Sequence, residues 1–242
     1  MAKQTVNTGT SENDRTGTKN RDAWDMVNDN FTEVYDDISG FATEFTSAKI
    51  NTGELNYTDT YWNDLKVSAA IFEFAGNADP NPVSYNVGAS GLSMLMYEFA
   101  KNDEVYFNIQ VPHDIKIGSD LYCHIHWTPG TRGNEEAGKT VGWKVQFLLA
   151  NIGTAFPATV YTVDLSDTCT GTDHLHEITP DTKVTLTEEI NISAFILGKI
   201  YRSDTGTDDT WAGSTTNNLP LLLGMDFHYE IDAPGSREHL SK

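Results

Sequence analysis

Between Trp24 and Ala48 runs an apolar series, Trp24, Val27, Phe31, Val34, Ile38, Phe41, Phe45 and Ala48, separated by steps of 3, 4, 3, 4, 3, 4 and 3. That is an a/d heptad seam with a period of about 3.5, and a strand, which alternates every second residue, cannot carry it. The intervening positions are mostly Asp, Asn, Glu, Thr and Ser. The spacing therefore predicts a helix with one narrow apolar stripe and an otherwise wet surface. At about 1.5 Å per residue it is a rod of roughly 37 Å. Such regular alternation exceeds what packing on a single domain requires. Trp24, Val27, Phe31, Val34, Ile38, Phe41 and Phe45 are accordingly expected to form an oligomerisation seam, a coiled coil. Asn20 or Thr18 is placed to cap the helix, with Asp22 and Asp25 in its first turns where the dipole favours acids. Ser39-Gly40 lowers helix propensity by about 1 kcal/mol and is expected to end or kink the rod.

Residues 1–19 are rich in Thr, Asn, Gly and Asp and hold almost nothing to bury. Alone they cannot offset their ordering entropy, so they form either a loose tail or an extended arm that orders against a partner. With the helix they make an N-terminal unit, residues 1–50, followed by a hinge-like linker over 51–66. From Val67 the apolar period changes to two. Val67–Phe74, Leu92–Phe99, Val105–Val111, Leu121–Trp127, Val141–Ala150, Thr159–Leu165, Val184–Thr187, Ala194–Tyr201 and Leu221–Ile231 are expected strands. Turn signals such as Gly76-Asn77, Pro80-Asn81-Pro82, Gly118-Ser119-Asp120 and Pro129-Gly130 separate them. Short strands without helical runs between them predict a mainly β fold over 67–242, an antiparallel β-sandwich of jelly-roll type.

The formal net charge is −19, from 35 acidic against 16 basic residues. This disfavours nucleic acid and anionic membrane as partners, because both demand Lys and Arg against phosphate. It suits a protein kept soluble at high local concentration. The two cysteines, Cys123 and Cys169, are expected to be free thiols of a reducing compartment. The first 18 residues are polar, without the pattern of a secretory leader, and no apolar run reaches transmembrane length.

Few residues suggest chemistry. His124 and His126 lie two apart, so both rings project from one strand face, a spacing at which neutral imidazoles can chelate a metal. Leu121, Cys123, Ile125 and Trp127 occupy the other face and are the better core set, which points the two histidines away from the core. Gly118, His124 and His126 match the opening of the cupin motif G-x5-H-x-H. The Glu that should follow comes only at Glu135, and the second motif is absent. A cupin-like metal enzyme is thus the weaker alternative, and the expectation is no enzyme, no cofactor and no metal, with His124 and His126 the candidate ligands should there be one. His174 and His176, beside Asp173 and Glu177, are expected on a solvated edge. Asp204, Asp208 and Asp209 are expected in a solvated acidic loop, and Trp211 with Tyr201 is an exposed pair that sugar rings could stack on. No P-loop or GxGxxG is present.

The run NTGTSENDRTGTKNRDAWDMVNDNFTEVYDDI resembles the N-terminal segment of tailed-bacteriophage fibre proteins, where a Gly/Thr/Asn arm enters a helix. Asp22, Ala23, Val27, Asn28, Asp29, Asn30, Phe31, Glu33 and Tyr35 carry the match, with Trp24 in place of a Phe. A second resemblance, to a β domain common in phage structural proteins, rests on Pro112, His113, Asp114, Gly118, Ser119, Asp120, His124, His126 and Trp127. Its remainder is Asp226, His228, Tyr229, Asp232, Gly235, Ser236, Arg237, Glu238 and Lys242. These resemblances imply a virion structural protein, a short homotrimeric fibre or decoration. Its N-terminal arm would attach to capsid, collar or tail proteins in the virion. A tip that binds a host receptor or surface glycan is the alternative they leave open.

Overall fold

The computed structural model describes residues 6–7, 10, 15–47, 59–86, 90–203, 205, 208–213, 218–236 and 238–239. The chain divides into two compact units, Met1–Asn56 and Tyr57–Lys242.

The N-terminal unit contains helix α1, Asn20–Ser47. It runs unbroken through Ser39 and Gly40, so the expected stop there is corrected: one glycine removes about 1 kcal/mol but no hydrogen bond. Trp24, Phe31, Val34 and Ile38 are exposed in the single chain, Trp24 at 67% and Phe31 at 60%, and Val27 is half-buried. The helical backbone includes Phe41 and Phe45, but their side chains, and Ala48, lie outside the described residues. Ahead of the helix, the Thr18 amide donates to the Asn7 carbonyl at 2.8 Å and the Asn7 amide donates to Thr18 Oγ1 at 3.0 Å. Thr18 thus closes a loop in the arm rather than capping the helix, and the Lys19 carbonyl accepts the Ala23 amide.

The second unit is mainly β, with strands β1 (Tyr61–Ser68), β2 (Asn81–Asn86), β3 (Ser93–Glu98), β4 (Glu104–Gln110), β5 (Leu121–Thr128) and β6 (Thr140–Ala150). The series ends with β7 (Tyr161–Thr168), β8 (Glu177–Ile178), β9 (Thr182–Val184), β10 (Phe195–Arg202) and β11 (Leu221–Ile231). They build two antiparallel sheets. The smaller runs β4-β10-β6-β7. The larger has β11 beside β5 at its centre, and each of these is flanked on its far side by two strands in tandem. β3 and β1 flank β11; β8 and β9 flank β5. The alternation fixes the core. Leu121, Cys123, Ile125 and Trp127 from β5 are wholly buried, as expected, against Trp143, Val145 and Phe147 of β6 and Met225, Phe227 and Tyr229 of β11. Phe147 and Phe227 meet edge-on at 5.3 Å between the two sheets.

Several strands depart from the sequence reading: the expected Val184–Thr187 is β9, Thr182–Val184, the expected Thr159–Leu165 runs on to Thr168 as β7, and β8 was not expected. β1 begins at Tyr61, inside the stretch expected to be a linker, and ends at Ser68, after which Ala69–Ile71 forms a 3-10 turn. The β2 segment, read as a turn because of Pro82, is an edge strand, where a proline costs no ladder hydrogen bond.

Candidate functional site

Alternation sends the even-numbered residues of β5 to the outer face of the larger sheet. The opposing residues come from β11, and a β-bulge decides which. Leu222 pairs with Trp127 and Met225 with Ile125, so β11 spends one residue more than β5 between these pairs. The extra residue switches the parity of the strand. Past it, Met225, Phe227 and Tyr229 enter the core while Asp226 and His228 look outward beside β5. Asp226 lies opposite His124 and His228 opposite Tyr122, and on the far side of β11 Asp64 of β1 lies opposite His228.

The result is a connected cluster. His124 Nε2 and His126 Nε2 are 3.0 Å apart, and Asp226 Oδ2 lies 3.1 Å from His126 Nε2 and 3.5 Å from His124 Nε2. The rear nitrogens are also engaged: His124 Nδ1 is 2.6 Å from Asp181 Oδ1, and His126 Nδ1 is 2.7 Å from His176 Nε2. His228 stands edge-on to His124 with ring centres 4.5 Å apart, its Nε2 3.2 Å from Asp64 and its Nδ1 3.5 Å from Asp181. Although it faces away from the core, His124 is only 3% exposed, because Asp181, His228 and His126 surround it; Asp226 is 8% exposed and His126 half-buried. The bond to Asp226 raises the His124 pKa, against the pull of burial and with the help of Asp181. Burial alone would raise the Asp226 carboxyl, but bonds from His124 and His126 outweigh it and hold it well below the usual carboxylate range.

The sequence singled out His124 and His126 as candidate ligands; Asp226 and His228 entered it only as residues of the second resemblance, His176 only as an edge residue, and Asp181 and Asp64 not at all. His176 is exposed, as expected of a solvated edge, and from there it bonds His126; His174 is half-buried and bonded to the Tyr85 hydroxyl at 2.8 Å. Asp181, Asp226 and Asp64 arrive from distant segments, and only the strand register brings them in. The pair looks out of a sandwich whose interior is filled by Trp127, Trp143, Phe147 and Phe227, so it does not look into an interior pocket of the cupin kind.

Of the other expected surface features, Asp208 is exposed as expected, and others are relocated. Asp209 is not solvated: it accepts two hydrogen bonds from the Arg202 guanidinium, at 2.8 and 2.9 Å, and both side chains are fully buried. Asp204 and Gly206 lie outside the described residues. Trp211 is buried against Trp127 and is no exposed platform. A depression of about 350 Å³ on the smaller sheet, beside Tyr106, Asn108, Gln146 and Lys199, gathers no comparable set of ligand or nucleophilic groups.

The two stretches that carry the second resemblance meet in space. His113 Nδ1 lies 2.7 Å from Ser236 Oγ, the Tyr229 hydroxyl donates to Asp114 at 3.0 Å, and the Glu230 amide donates to Ser119 Oγ at 2.8 Å. Gly118, at φ +74°, makes the turn before Ser119, and a Cβ there would lie 2.7 Å from the Glu189 carboxylate. Arg237 and Lys242 lie outside the described residues.

No family model matches this sequence, and no curated protein does. Among solved structures, a Paenibacillus sp. cycloisomaltooligosaccharide glucanotransferase complexed with cycloisomaltoheptaose is similar over 70% of this chain and 19% of its own, at 12% identity and a TM-score of 0.35. The structure of infectious bursal disease virus, Gx strain, is similar over 73% of this chain and 33% of its own, at 8% identity and a TM-score of 0.34. The chain therefore spans well under two thirds of either, and likenesses this distant leave the function to the residues themselves.

Proposed function

We propose that the chain is a non-enzymatic structural protein of a tailed-bacteriophage particle. In this reading it is a short homotrimeric fibre or decoration, joined to capsid, collar or tail proteins by its N-terminal arm, with a jelly-roll-like β domain carried outward. The observation that carries the reading is the helical seam. A 28-residue helix with Trp24, Phe31 and Ile38 all more than half exposed presents an a/d stripe that a second and third copy of the same helix would cover in a parallel coiled coil. The resemblance of Asp22–Tyr35 to fibre attachment helices supplies the virion context and the trimer. The charge of −19 suits projections crowded on one particle.

Phe31→Asp tests it. In a lone chain Phe31 is 60% exposed, and surface substitutions of that kind shift stability by no more than about 0.5 kcal/mol. In a trimer the same change buries three carboxylates in one seam. Light scattering of the full chain should give three chain masses, and Phe31→Asp should shift the mass toward one with the β unit still folded. A wild-type monomer at micromolar concentration would refute the reading. So would an unchanged trimer in the variant.

A further inference from the structure

We propose that His124, His126 and Asp226 form a binding site for one divalent transition-metal ion, on the outer face of the larger sheet. The site does not depend on the oligomer reading above, since its groups come from one chain.

Three electron-pair donors converge there: the Nε2 atoms of His124 and His126 and Asp226 Oδ2, separated by 3.0, 3.1 and 3.5 Å. Ligand atoms about 2.1 Å from one ion stand roughly 3.0 Å apart along an octahedral edge and roughly 3.4 Å apart in a tetrahedron. The observed separations match one face of such a shell. The alternative partner Asp181 fails this test: at 2.6 Å its oxygen is too close to His124 Nδ1 for the two to share an ion, and the contact is a hydrogen bond. That bond has its own use. With Nδ1–H given to Asp181, a neutral His124 presents a bare Nε2 lone pair to the site. His126 is set in the same way when its Nδ1–H donates to His176 Nε2 at 2.7 Å. Each histidine ligand is thus backed by an outer partner, the arrangement that orients metal-bound imidazoles.

With both imidazoles neutral and bare at Nε2, and without a cation, the three donors would repel one another. A proton on one imidazole settles one pair of the three, whereas a metal ion settles all three at once. Two imidazoles and one carboxylate leave positions free for water, and His126 is the half-exposed ligand through which solvent reaches them. Nitrogen-rich ligation of this kind favours zinc and its first-row neighbours over calcium or magnesium.

The test uses the full chain, made without a histidine tag, stripped with chelator and then titrated with zinc chloride in a calorimeter. One zinc per chain is expected, with a higher melting temperature in its presence. His126→Gln and Asp226→Asn should each weaken binding at least 100-fold, and Asp181→Asn, which removes only an outer partner, by 10- to 100-fold. His113→Ala, outside the cluster, should bind as wild type does. Circular dichroism identifies folded variants, and half-exposed His126 supplies the substitution that decides the matter if Asp226→Asn does not fold. Absence of stoichiometric binding by folded wild type at micromolar zinc would overturn the site and leave a proton-bonded cluster. Unchanged binding in folded His126→Gln would overturn it as well.

Discussion

Arg202 and Asp209 make the sharpest stability prediction. Both side chains are essentially without solvent exposure, 1% and 0%. The guanidinium gives two hydrogen bonds to the carboxylate and a third, at 3.0 Å, to the Phe99 carbonyl. Asp209 in turn accepts the backbone amides of Gly142 at 3.0 Å and Trp211 at 3.1 Å. Asp209→Asn keeps the shape and one oxygen but removes the charge, leaving a buried guanidinium uncompensated. Breaking such a pair from one side costs about 3–5 kcal/mol. That is a large share of the roughly 5–15 kcal/mol that holds a domain folded. With a urea slope of about 2–3 kcal/mol per M, the midpoint should fall by roughly 1–2.5 M. Urea titration followed by tryptophan fluorescence measures it, because Trp127, Trp143 and Trp211 are buried around this pair. The double variant Arg202→Met/Asp209→Asn carries no stranded charge and should recover at least half of the loss. A single variant within about 0.4 M of wild type, or a double variant no better than the single, would show that the pair is not the buried anchor described above.

Other expectations follow from neighbouring features. Burial pushes the thiols of Cys123 and Cys169 upward, and both are buried. A thiol reagent should label neither in the native protein and both in denaturant; fast native labelling would contradict the core assignment. A Cβ on Gly198 would lie 2.4 Å from Phe107 Cζ and 2.9 Å from Phe147 Cβ. Gly198→Ala should therefore cost about 1–3 kcal/mol, read as a melting temperature lower by roughly 3–10 °C, and an unchanged melt would refute that overlap. The hydrogen bond from Lys116 holds the Glu230 carboxyl below its ordinary value. Its contribution is present above the unfolded carboxyl range near pH 4.5 and is lost as pH falls through the lower folded value. Lys116 is 40% exposed, so Lys116→Met should cost no more than about 1 kcal/mol at pH 7 and less at pH 2. An equal loss at both pH values would remove the charge from the explanation.

Alternation made the β unit legible. Leu121, Cys123, Ile125 and Trp127 could be assigned to the core because period two leaves them no other common face. The β2 segment was hidden by Pro82, since edge and turn residues share a composition. Two ligands of the candidate site could be read, because His124 and His126 are local in sequence. Asp226 could be quoted only within the second resemblance, not as a ligand: its orientation depends on a one-residue bulge, and its position on the register of a strand 100 residues further along the chain. Trp211 and Asp209 look like loop residues, and only the buried Arg202, itself an unremarkable strand end in sequence, explains why they are inside.

The first strand of the β unit lies along the last for its whole length, from Tyr61 against Ile231 to Ser68 against Gly224. Neither side of β11 can be paired until the final residues of the unit have been synthesised. The larger sheet is thus completed from its middle, and last, by contacts between the most distant parts of the chain. Such a topology must close its longest loop before the closing contacts reward it, which places folding in the millisecond-to-second range and leaves the edges of β1 and β5 unpaired while a nascent chain waits. Asp226 belongs to that final strand, so the His124–His126 cluster can be completed only by a chain that has finished folding.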